Sequence, residues 1–230
     1  IMNFLPLAAD EKVTSVLAVP KGAAREALSV FFVTEEGVVK KTEAKSFADV
    51  RRSGIIAISL KGKDRLVSAH LSQDGDSVSI VTSKGQSIRF DEADVRAMGR
   101  TAAGVRGMTV KKGDVVVSAE MVPASAKKAS LLVIMNKGYG KKTDMEEYKI
   151  QGRGGSGIKT AEVTAKTGEI IGAKVLTGAE AEEEEIVVIS KKGQVIRTSS
   201  KEIPSLSRAT QGVRIMKMRE GDSIANMVAL

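Results

Sequence analysis

The side chains best placed to do chemistry in this chain are lysines and arginines that recur at fixed distances from glycines. Four similar stretches are centred on the glycines Gly37, Gly85, Gly138 and Gly193. A cation follows each glycine by four positions, and in two stretches a second lysine precedes it; this set is Lys40, Lys41, Arg89, Lys141, Lys142 and Arg197. Cations repeated in this way, rather than gathered around one point, are suited to contacting successive phosphates of a polyanion.

A second glycine follows each of the first by 17 to 19 residues, and cations flank it. These second glycines are Gly54, Gly104, Gly157 and Gly212. The flanking cations are Arg51, Arg52, Arg100, Arg106, Arg153, Lys159, Arg208 and Arg214. Because glycine lets backbone N–H groups come close to an anion, we interpret these loops as phosphate-binding elements as well. We therefore predict that both sets of cations contact phosphates.

The positive charge of the chain is concentrated in this recurring part of the repeat. The segments 37–54, 85–107, 138–160 and 193–214 hold 18 of the 36 cations but only 9 of the 28 anions, and the whole chain carries a net charge of +8. The rest of the chain is close to neutral. If the repeats lie side by side, these segments form a basic stripe. The alternative is a charged exterior that only keeps a β-rich protein in solution.

Other chemistry has little support in the sequence. There is one histidine, His70, for which we expect a surface position on a strand, and there is no cysteine. The carboxylate pairs, such as Asp91-Glu92, fall in turns at variable offsets. The loop GRGGSG at 152–157 lacks the Lys-Ser/Thr ending of a nucleotide-binding P-loop. We expect no catalytic residue, no metal site and no cofactor here. The absence of cysteine agrees with a reducing cytoplasm.

The repeat also predicts the elements that must position the cations. Each copy is predicted to form four short strands. The first is apolar and is joined by a glycine turn to the second, which is basic. The third begins just after the second glycine, and we call it the glycine-led strand; the fourth is apolar. For the turn Asn136-Lys137-Gly138 we expect the positive φ angles of a primed hairpin. Units of about 50 residues with four strands predict an all-β, propeller-like array forming a single domain. We expect blades at 21–73, 74–123, 124–178 and 179–230, preceded at 1–20 by the end of a truncated blade. No apolar run approaches the roughly 18 residues that span a bilayer, so no membrane is expected.

Several phrases in these repeats resemble the C-terminal domain of the A subunit of DNA gyrase, a type IIA topoisomerase. The matching phrases are GVVKKT, VRAMGRTAAGVRG, NKGYGKKT, QGRGGSGIKT and SRATQGVRIMKM. The resemblance covers essentially the whole chain. It implies a six-bladed β-pinwheel, a relative of the propeller whose blades exchange strands, of which this chain would be a fragment. The signature box of the family, typically QRRGGKG, belongs to a first blade outside this chain. Gln151–Gly157 is box-like but lies in a later blade.

The resemblance also implies a function. The rim of this domain wraps double-stranded DNA, and the wrapping directs ATP-dependent negative supercoiling by a bacterial, cytoplasmic, nucleoid-associated holoenzyme. The partners would be double-stranded DNA, the B subunit of gyrase and the rest of its A subunit, and the catalytic tyrosine and the ATP site lie outside this chain. The isolated domain is expected to be monomeric. Two alternatives remain: the C-terminal domain of the A subunit of topoisomerase IV, and a propeller used as a protein-interaction scaffold.

Overall fold

The structure, a computed structural model, describes residues 13–19, 27–49, 54–178 and 183–230. It confirms the all-β prediction, because the helical segments in this part of the chain are single 3₁₀ turns that follow the basic strands. The strands, numbered in chain order, are β1 Ser29–Thr34, β2 Val38–Glu43, β3 Leu66–Ser72, β4 Ser77–Thr82, β5 Gln86–Asp91, β6 Val105–Arg106, β7 Val116–Val122, β8 Ala129–Met135, β9 Tyr139–Asp144, β10 Ile158–Lys159, β11 Ile170–Thr177, β12 Glu185–Ser190, β13 Val195–Ser199, β14 Val213–Arg214 and β15 Ile224–Ala229.

Each repeat begins with a hairpin whose turn ends in a glycine. The Gly138 N–H donates to the Met135 carbonyl oxygen at 3.0 Å, and Gly138 has a φ of +83°. In the described chain no residue other than glycine has a positive φ, so these are not primed turns. The prediction of a primed hairpin was wrong. The geometry is that of a tight turn followed by a left-handed glycine, which is the other common way to join two antiparallel strands.

The strands form four antiparallel sheets, three of which include a strand from the following repeat. The strand orders are β3-β1-β2-β6, β10-β5-β4-β7, β11-β8-β9-β14 and β13-β12-β15. The two-residue strands β6, β10 and β14 are the glycine-led strands of the second, third and fourth repeats. Each pairs with the basic strand of the repeat before it. A sheet and a sequence repeat are therefore different units, as the strand exchange of the resembling family implies.

Successive sheets pack against one another through apolar side chains. Phe31 and Val33 of β1 share a core with Ile80, Ile88 and Phe90 of the second sheet, and all five are buried. Equivalent cores join the second sheet to the third and the third to the fourth. Along the opposite edge, β3 contacts β7, β7 contacts β11 and β11 contacts β15. The four sheets are thus stacked blades, with β3, β7, β11 and β15 on the inner side and the exchanged strands on the outer side.

The single histidine lies at one of these inner contacts rather than on the outer surface. His70 on β3 is partly buried, and among the described residues its Nε2 atom has no hydrogen-bond partner. Burial lowers the pKa of His70, while Glu120 on β7 raises it. Glu120 in turn forms an ion pair with Lys174 on β11 at 3.0 Å. The expectation of a simple surface position was wrong, because the inner strands of neighbouring blades lie close together.

Candidate nucleic-acid interface

The glycine-led loops lie next to one another and are joined by arginines. Each of three arginines donates a hydrogen bond from Nη1 to a backbone carbonyl of the preceding loop, two residues after the glycine of that loop. Arg100 bonds Ile56 O at 3.4 Å, Arg153 bonds Arg106 O at 2.9 Å, and Arg208 bonds Lys159 O at 3.2 Å. Because a guanidinium has five N–H donors, each of these arginines keeps donors for another acceptor. We call the described loop segments 54–60, 99–107, 151–159 and 207–214 the loop band.

The loop band also presents cations whose side chains point to solvent. Arg106, Lys159 and Arg214 occupy the second position of the exchanged strands β6, β10 and β14, and all three are exposed. Within the described residues the side chains of Arg106 and Lys159 make no hydrogen bond or ion pair. Exposed cations without an internal partner, at equivalent positions of successive blades, can bind a phosphate and need not break an internal contact to do so.

Arg214 has an internal partner that the sequence did not identify. Its Nη2 atom donates to the Tyr139 hydroxyl at 3.3 Å, and its guanidinium lies 5.7 Å from the centre of the Tyr139 ring. The Lys166 ammonium lies over the same ring at 5.5 Å. The hydrogen bond from Arg214 lowers the pKa of Tyr139. The pattern of glycines and cations does not point to Tyr139; the signal that the sequence offers is an aromatic residue directly after a turn glycine.

Two of the predicted phosphate-binding lysines are buried, which corrects their assignment. Lys40 and Lys141 are both fully inaccessible to solvent. The Lys40 ammonium donates to the carbonyls of Ala57, at 2.6 Å, and Arg100. The Lys141 ammonium donates to the carbonyl of Arg208, at 2.7 Å, and to that of Ser207. Burial lowers the pKa of both lysines, that of Lys141 to about 8. These lysines therefore stabilise the loop band from the protein interior, through hydrogen bonds to its backbone carbonyls, and do not face solvent.

The neighbouring strand cations connect one blade to the next. Lys41 pairs with Glu92 of the following repeat at 2.5 Å, and its side chain is only 12% exposed. Arg89 donates to the carbonyls of Met145, at 3.2 Å, and Tyr148, at 3.4 Å, and burial lowers its pKa. Lys41 and Arg89 thus hold the 3₁₀ turn of the next repeat, whereas the sequence placed them on a phosphate-binding surface.

The remaining predicted cations differ in position. Arg197 is exposed and pairs with Glu185 on the adjacent strand. Lys142 is partly exposed and its backbone N–H bonds the Pro204 carbonyl at 3.0 Å. Arg51 and Arg52 lie outside the described residues, so their predicted role stays a prediction.

The second glycines have a packing role at three junctions. A Cβ atom on Gly104, which has a φ of +94°, would lie 2.5 Å from the Val39 carbonyl oxygen. The equivalent distances are 2.3 Å from Gly157 to Ser87 O and 2.5 Å from Gly212 to Gly140 O. Glycine is therefore required where each exchanged strand meets the preceding blade. This close approach is to backbone rather than to a phosphate.

Other kinds of site find little support in the described part of the chain. No three histidine, cysteine, aspartate or glutamate side chains there come together in a way that could hold a metal ion. In the same residues, no helix is long and apolar enough to cross a membrane.

Comparison with known proteins identifies the family. The profile described as "DNA gyrase C-terminal domain, beta-propeller" matches residues 29–73, 76–123, 129–177 and 184–230, which is one match for each blade. The chain belongs to the DNA gyrase C-terminal domain family. Its relatives include the DNA gyrase A subunits of Staphylococcus epidermidis, 36% identical over 227 residues, and of Lawsonia intracellularis, 37% identical over 221 residues. These matches cover 99% and 96% of this chain but 25% and 26% of the relatives. The chain thus spans about a quarter of their length.

Solved structures show the same fold. A structure of a DNA gyrase A C-terminal domain superposes with a TM-score of 0.85 at 24% identity, covering 99% of this chain and 73% of the other. A crystal structure of the C-terminal domain of DNA topoisomerase IV superposes with a TM-score of 0.88 at 27% identity, covering 99% and 69%. Together with the family match, these similarities confirm the predicted propeller-like, pinwheel class of fold.

Proposed function

We propose that this chain is a DNA-binding and DNA-wrapping module, and that the loop band is its DNA-contacting surface. The observation that carries the proposal is the repetition of exposed cations at Arg106, Lys159 and Arg214, at one equivalent position on three successive outer strands. The spacing between blades then sets the spacing between phosphate contacts, so duplex DNA follows the outer side of the array.

Phosphates rather than bases are the groups recognised. Arginine and lysine side chains supply the contacts, and aromatic residues suited to base stacking make up only 3% of the chain. Bending a site of 20–30 base pairs by 40–90° costs about 1–6 kcal/mol, and contacts spread over several blades offset that cost. Wrapping of this kind needs no base-specific contact.

Within a larger enzyme, the module bends one stretch of DNA so that a second stretch of the same molecule meets the cleavage site with a defined handedness. We propose this role in ATP-dependent negative supercoiling by a DNA gyrase in a bacterial cytoplasm. The partners are then the B subunit of that gyrase and the rest of its A subunit. The catalytic tyrosine and the ATP site are supplied by parts of the holoenzyme outside this chain, and no cofactor is proposed for this chain.

A topoisomerase IV module is a second candidate, favoured by the superposition at a TM-score of 0.88. The gyrase assignment is preferred because the curated relatives that cover nearly the whole chain are gyrase A subunits. The two candidates share the wrapping mechanism. They are distinguished by the sign of the supercoils that the protein constrains in bound DNA. A protein-interaction scaffold predicts instead an acidic protein partner and little DNA binding at moderate salt.

The double variant Arg106→Gln, Lys159→Gln tests the loop band, because neither side chain has an internal partner to lose among the described residues. We expect the DNA affinity to fall. We also expect the slope of the logarithm of the binding constant against the logarithm of the salt concentration to become less steep, by about 0.9 for each phosphate contact removed. The matched control is Lys112→Gln, Lys127→Gln, which removes the same charge from exposed positions outside the loop band. Equal losses in the two variants would mean that net charge, and not this surface, binds DNA.

A further inference from the structure

The hydroxyl of Tyr139 lies between two cations that belong to different repeats. Arg214, on the exchanged strand β14, donates to this hydroxyl from Nη2 at 3.3 Å. Lys166, on the turn 164–169 of the third repeat, has its ammonium 5.5 Å from the centre of the Tyr139 ring. In the part of the chain that the structure describes, neither cation forms an ion pair with a carboxylate. Two positive groups thus converge on one hydroxyl and are not neutralised by such a pair.

The Tyr139 hydroxyl also has an unused donor. Its oxygen accepts the hydrogen bond from Arg214, and among the described residues no acceptor takes the hydroxyl hydrogen. Arg214 spends one of five N–H donors on this bond, and the Lys166 ammonium carries three. The three side chains therefore present a group of N–H and O–H donors at one place. Such a group suits an anion that has several acceptor oxygens.

The packing around Tyr139 holds these groups in place. Its side chain is only 8% exposed and belongs to the core between the second and third sheets. The turn that carries Lys166 is held by Lys137, whose ammonium donates to the Ala165 carbonyl at 2.5 Å, and Thr167 on the same turn is fully buried. The positions of the phenol and of this turn are therefore fixed by the fold itself.

Both cations act on the phenol in the same direction. The hydrogen bond from Arg214 and the charges of Arg214 and Lys166 lower the pKa of Tyr139, although burial raises it. A positive potential at this hydroxyl stabilises a negative charge, whether that charge is on the phenolate or on an anion bound beside it. The electrostatics at this point therefore favour an anionic ligand.

The repeat supplies the two cations at the other junctions as well, but not the hydroxyl. In each repeat a cation stands three residues before the acidic residue at the end of the turn that precedes the inner strand, and all four are exposed: Lys61, Lys111, Lys166 and Arg219. In the strand pairs, Arg106 faces Val38 and Lys159 faces Gln86, as Arg214 faces Tyr139. Of these three facing residues, Tyr139 is the one that can donate an O–H.

We propose that Tyr139, Lys166 and Arg214 form a binding site for one phosphate group where the fourth repeat meets the third. Arg214 and Lys166 bind its oxygens through charge-assisted hydrogen bonds, and the Tyr139 hydroxyl donates a further one. The phosphate belongs to the backbone of the duplex that follows the loop band, and this part of the inference rests on the proposed function. Tyr139 is then an uncharged residue that contacts DNA, at a junction that holds the duplex more firmly than the other two.

The variant Tyr139→Phe tests the hydroxyl, because it keeps the ring in the core and keeps both cations. We expect the DNA affinity to fall about tenfold, as for the loss of one hydrogen bond to a charged group. The salt slope should stay unchanged because no charge is removed. The control is Tyr148→Phe, since the Tyr148 hydroxyl is buried against Thr160 at 2.6 Å. This control should lose stability but not DNA affinity.

The variant Lys166→Gln tests the charge. We expect a lower DNA affinity and a salt slope that is less steep by about 0.9, which corresponds to one phosphate contact. The matched control is Lys127→Gln, which removes an exposed lysine outside the loop band and should leave the slope unchanged.

The phenol provides a measurement that does not require DNA binding. Arg214 and Lys166 lower the pKa of Tyr139, whereas burial raises that of Tyr148, so the absorbance of phenolate should rise with pH in two separate steps. A phosphate bound beside Tyr139 disfavours its phenolate, so we expect the first step to move to higher pH and the second to stay. Duplex DNA and inorganic phosphate are compared at the same concentration of phosphate groups. A shift with the duplex alone assigns the DNA backbone as the ligand, and an equal shift with inorganic phosphate assigns free phosphate.

A first step that neither ligand moves would overturn the site. An unchanged DNA affinity in Tyr139→Phe, or an equal loss in Tyr148→Phe, would mean that the Tyr139 hydroxyl does not contact the DNA backbone. A chain that binds no DNA, but whose first step moves with inorganic phosphate, would contradict the proposed function and support the site.

Discussion

The buried ammonium of Lys141 donates to the backbone carbonyl of Arg208 at 2.7 Å. A buried lysine side chain thus fixes the backbone of an arginine that belongs to the loop band. Lys40 does the same for Arg100 two junctions earlier. At the equivalent position of the second repeat the chain has Ile88, which is buried and lies 3.6 Å from the Cβ position of Gly155 in the next loop. The chain therefore uses both a polar and an apolar support beneath its loops.

Replacing Lys141 by isoleucine, the residue found at position 88, tests this support. Two carbonyl oxygens lose a charged donor, while the cost of burying an ammonium is also removed. We expect the free energy of unfolding to fall by about 1–2 kcal/mol and the DNA affinity to fall although no exposed cation is lost. Urea unfolding and a DNA titration measure the two effects. The charge-matched control is Lys112→Gln. A variant with unchanged stability and unchanged affinity would remove Lys141 from this role.

The same lysine predicts a pH dependence of stability. Burial lowers the pKa of Lys141 from 10.5 to about 8 in the folded protein. Between these two pH values the unfolded chain holds a proton that the folded chain has released, so the contribution of Lys141 to the unfolding free energy rises with pH. We expect the stability of the unchanged chain to rise relative to Lys141→Ile between pH 8 and pH 10.5. Other lysines titrate in both proteins and cancel in the difference. A difference that stays constant across this range would contradict the lowered pKa.

Two glycine substitutions separate packing from backbone strain. Gly104 and Gly54 both have positive φ angles. Of these two glycines, Gly104 lies against another blade, whereas a Cβ atom on Gly54 would meet nothing within 4 Å among the described residues. Alanine at either position costs about 1–2 kcal/mol of backbone strain, and at Gly104 its Cβ also collides with the Val39 carbonyl. We expect Gly104→Ala to lower the unfolding free energy by about 2 kcal/mol more than Gly54→Ala does, as chemical denaturation would measure. Equal losses in the two variants would mean that the close approach at Gly104 does not stabilise the junction.

The inner strands are tested through the single histidine. Glu120 raises the pKa of His70 and Lys174 lowers it, against the larger lowering caused by burial. We therefore expect the pKa of His70 to fall further in Glu120→Gln and to rise in Lys174→Met. An NMR titration of the imidazole gives an unambiguous signal, since the chain has no other histidine. Shifts in the opposite directions would mean that β3, β7 and β11 are not neighbours in this order.

The sequence was sufficient for the repeat, the all-β class and the hairpins, because these depend on local patterns of apolar residues and glycines. It did not show on which side of a strand each cation lies. Lys40 and Lys41 are adjacent in sequence, and their shared pattern predicts one phosphate-binding surface for both. Successive side chains of a strand point to opposite faces, and the structure has Lys40 beneath the next loop and Lys41 paired with Glu92.

The exchange of strands between blades was also beyond the residue pattern. The spacing from Gly85 to Gly104 is the same whether β6 joins its own repeat or the preceding one, because spacing says nothing about which sheet a strand enters. The resemblance to a family with exchanged strands supplied that feature. Arg106, Lys159 and Arg214 each lie two residues after a second glycine, so their role as phosphate contacts could be predicted from the sequence. Their exposure could not, because it depends on this exchange of strands.

Bending of duplex DNA along the loop band can be measured by fluorescence energy transfer between the two ends of a bound duplex. We predict that the ends of a duplex of about 60 base pairs approach each other on binding, and that Arg106→Gln, Lys159→Gln weakens this change. We also predict tighter binding of this duplex than of one of about 20 base pairs, with a salt slope that corresponds to several phosphates. Binding that leaves the ends apart, with equal affinity for the two lengths and a slope near one contact, would contradict wrapping.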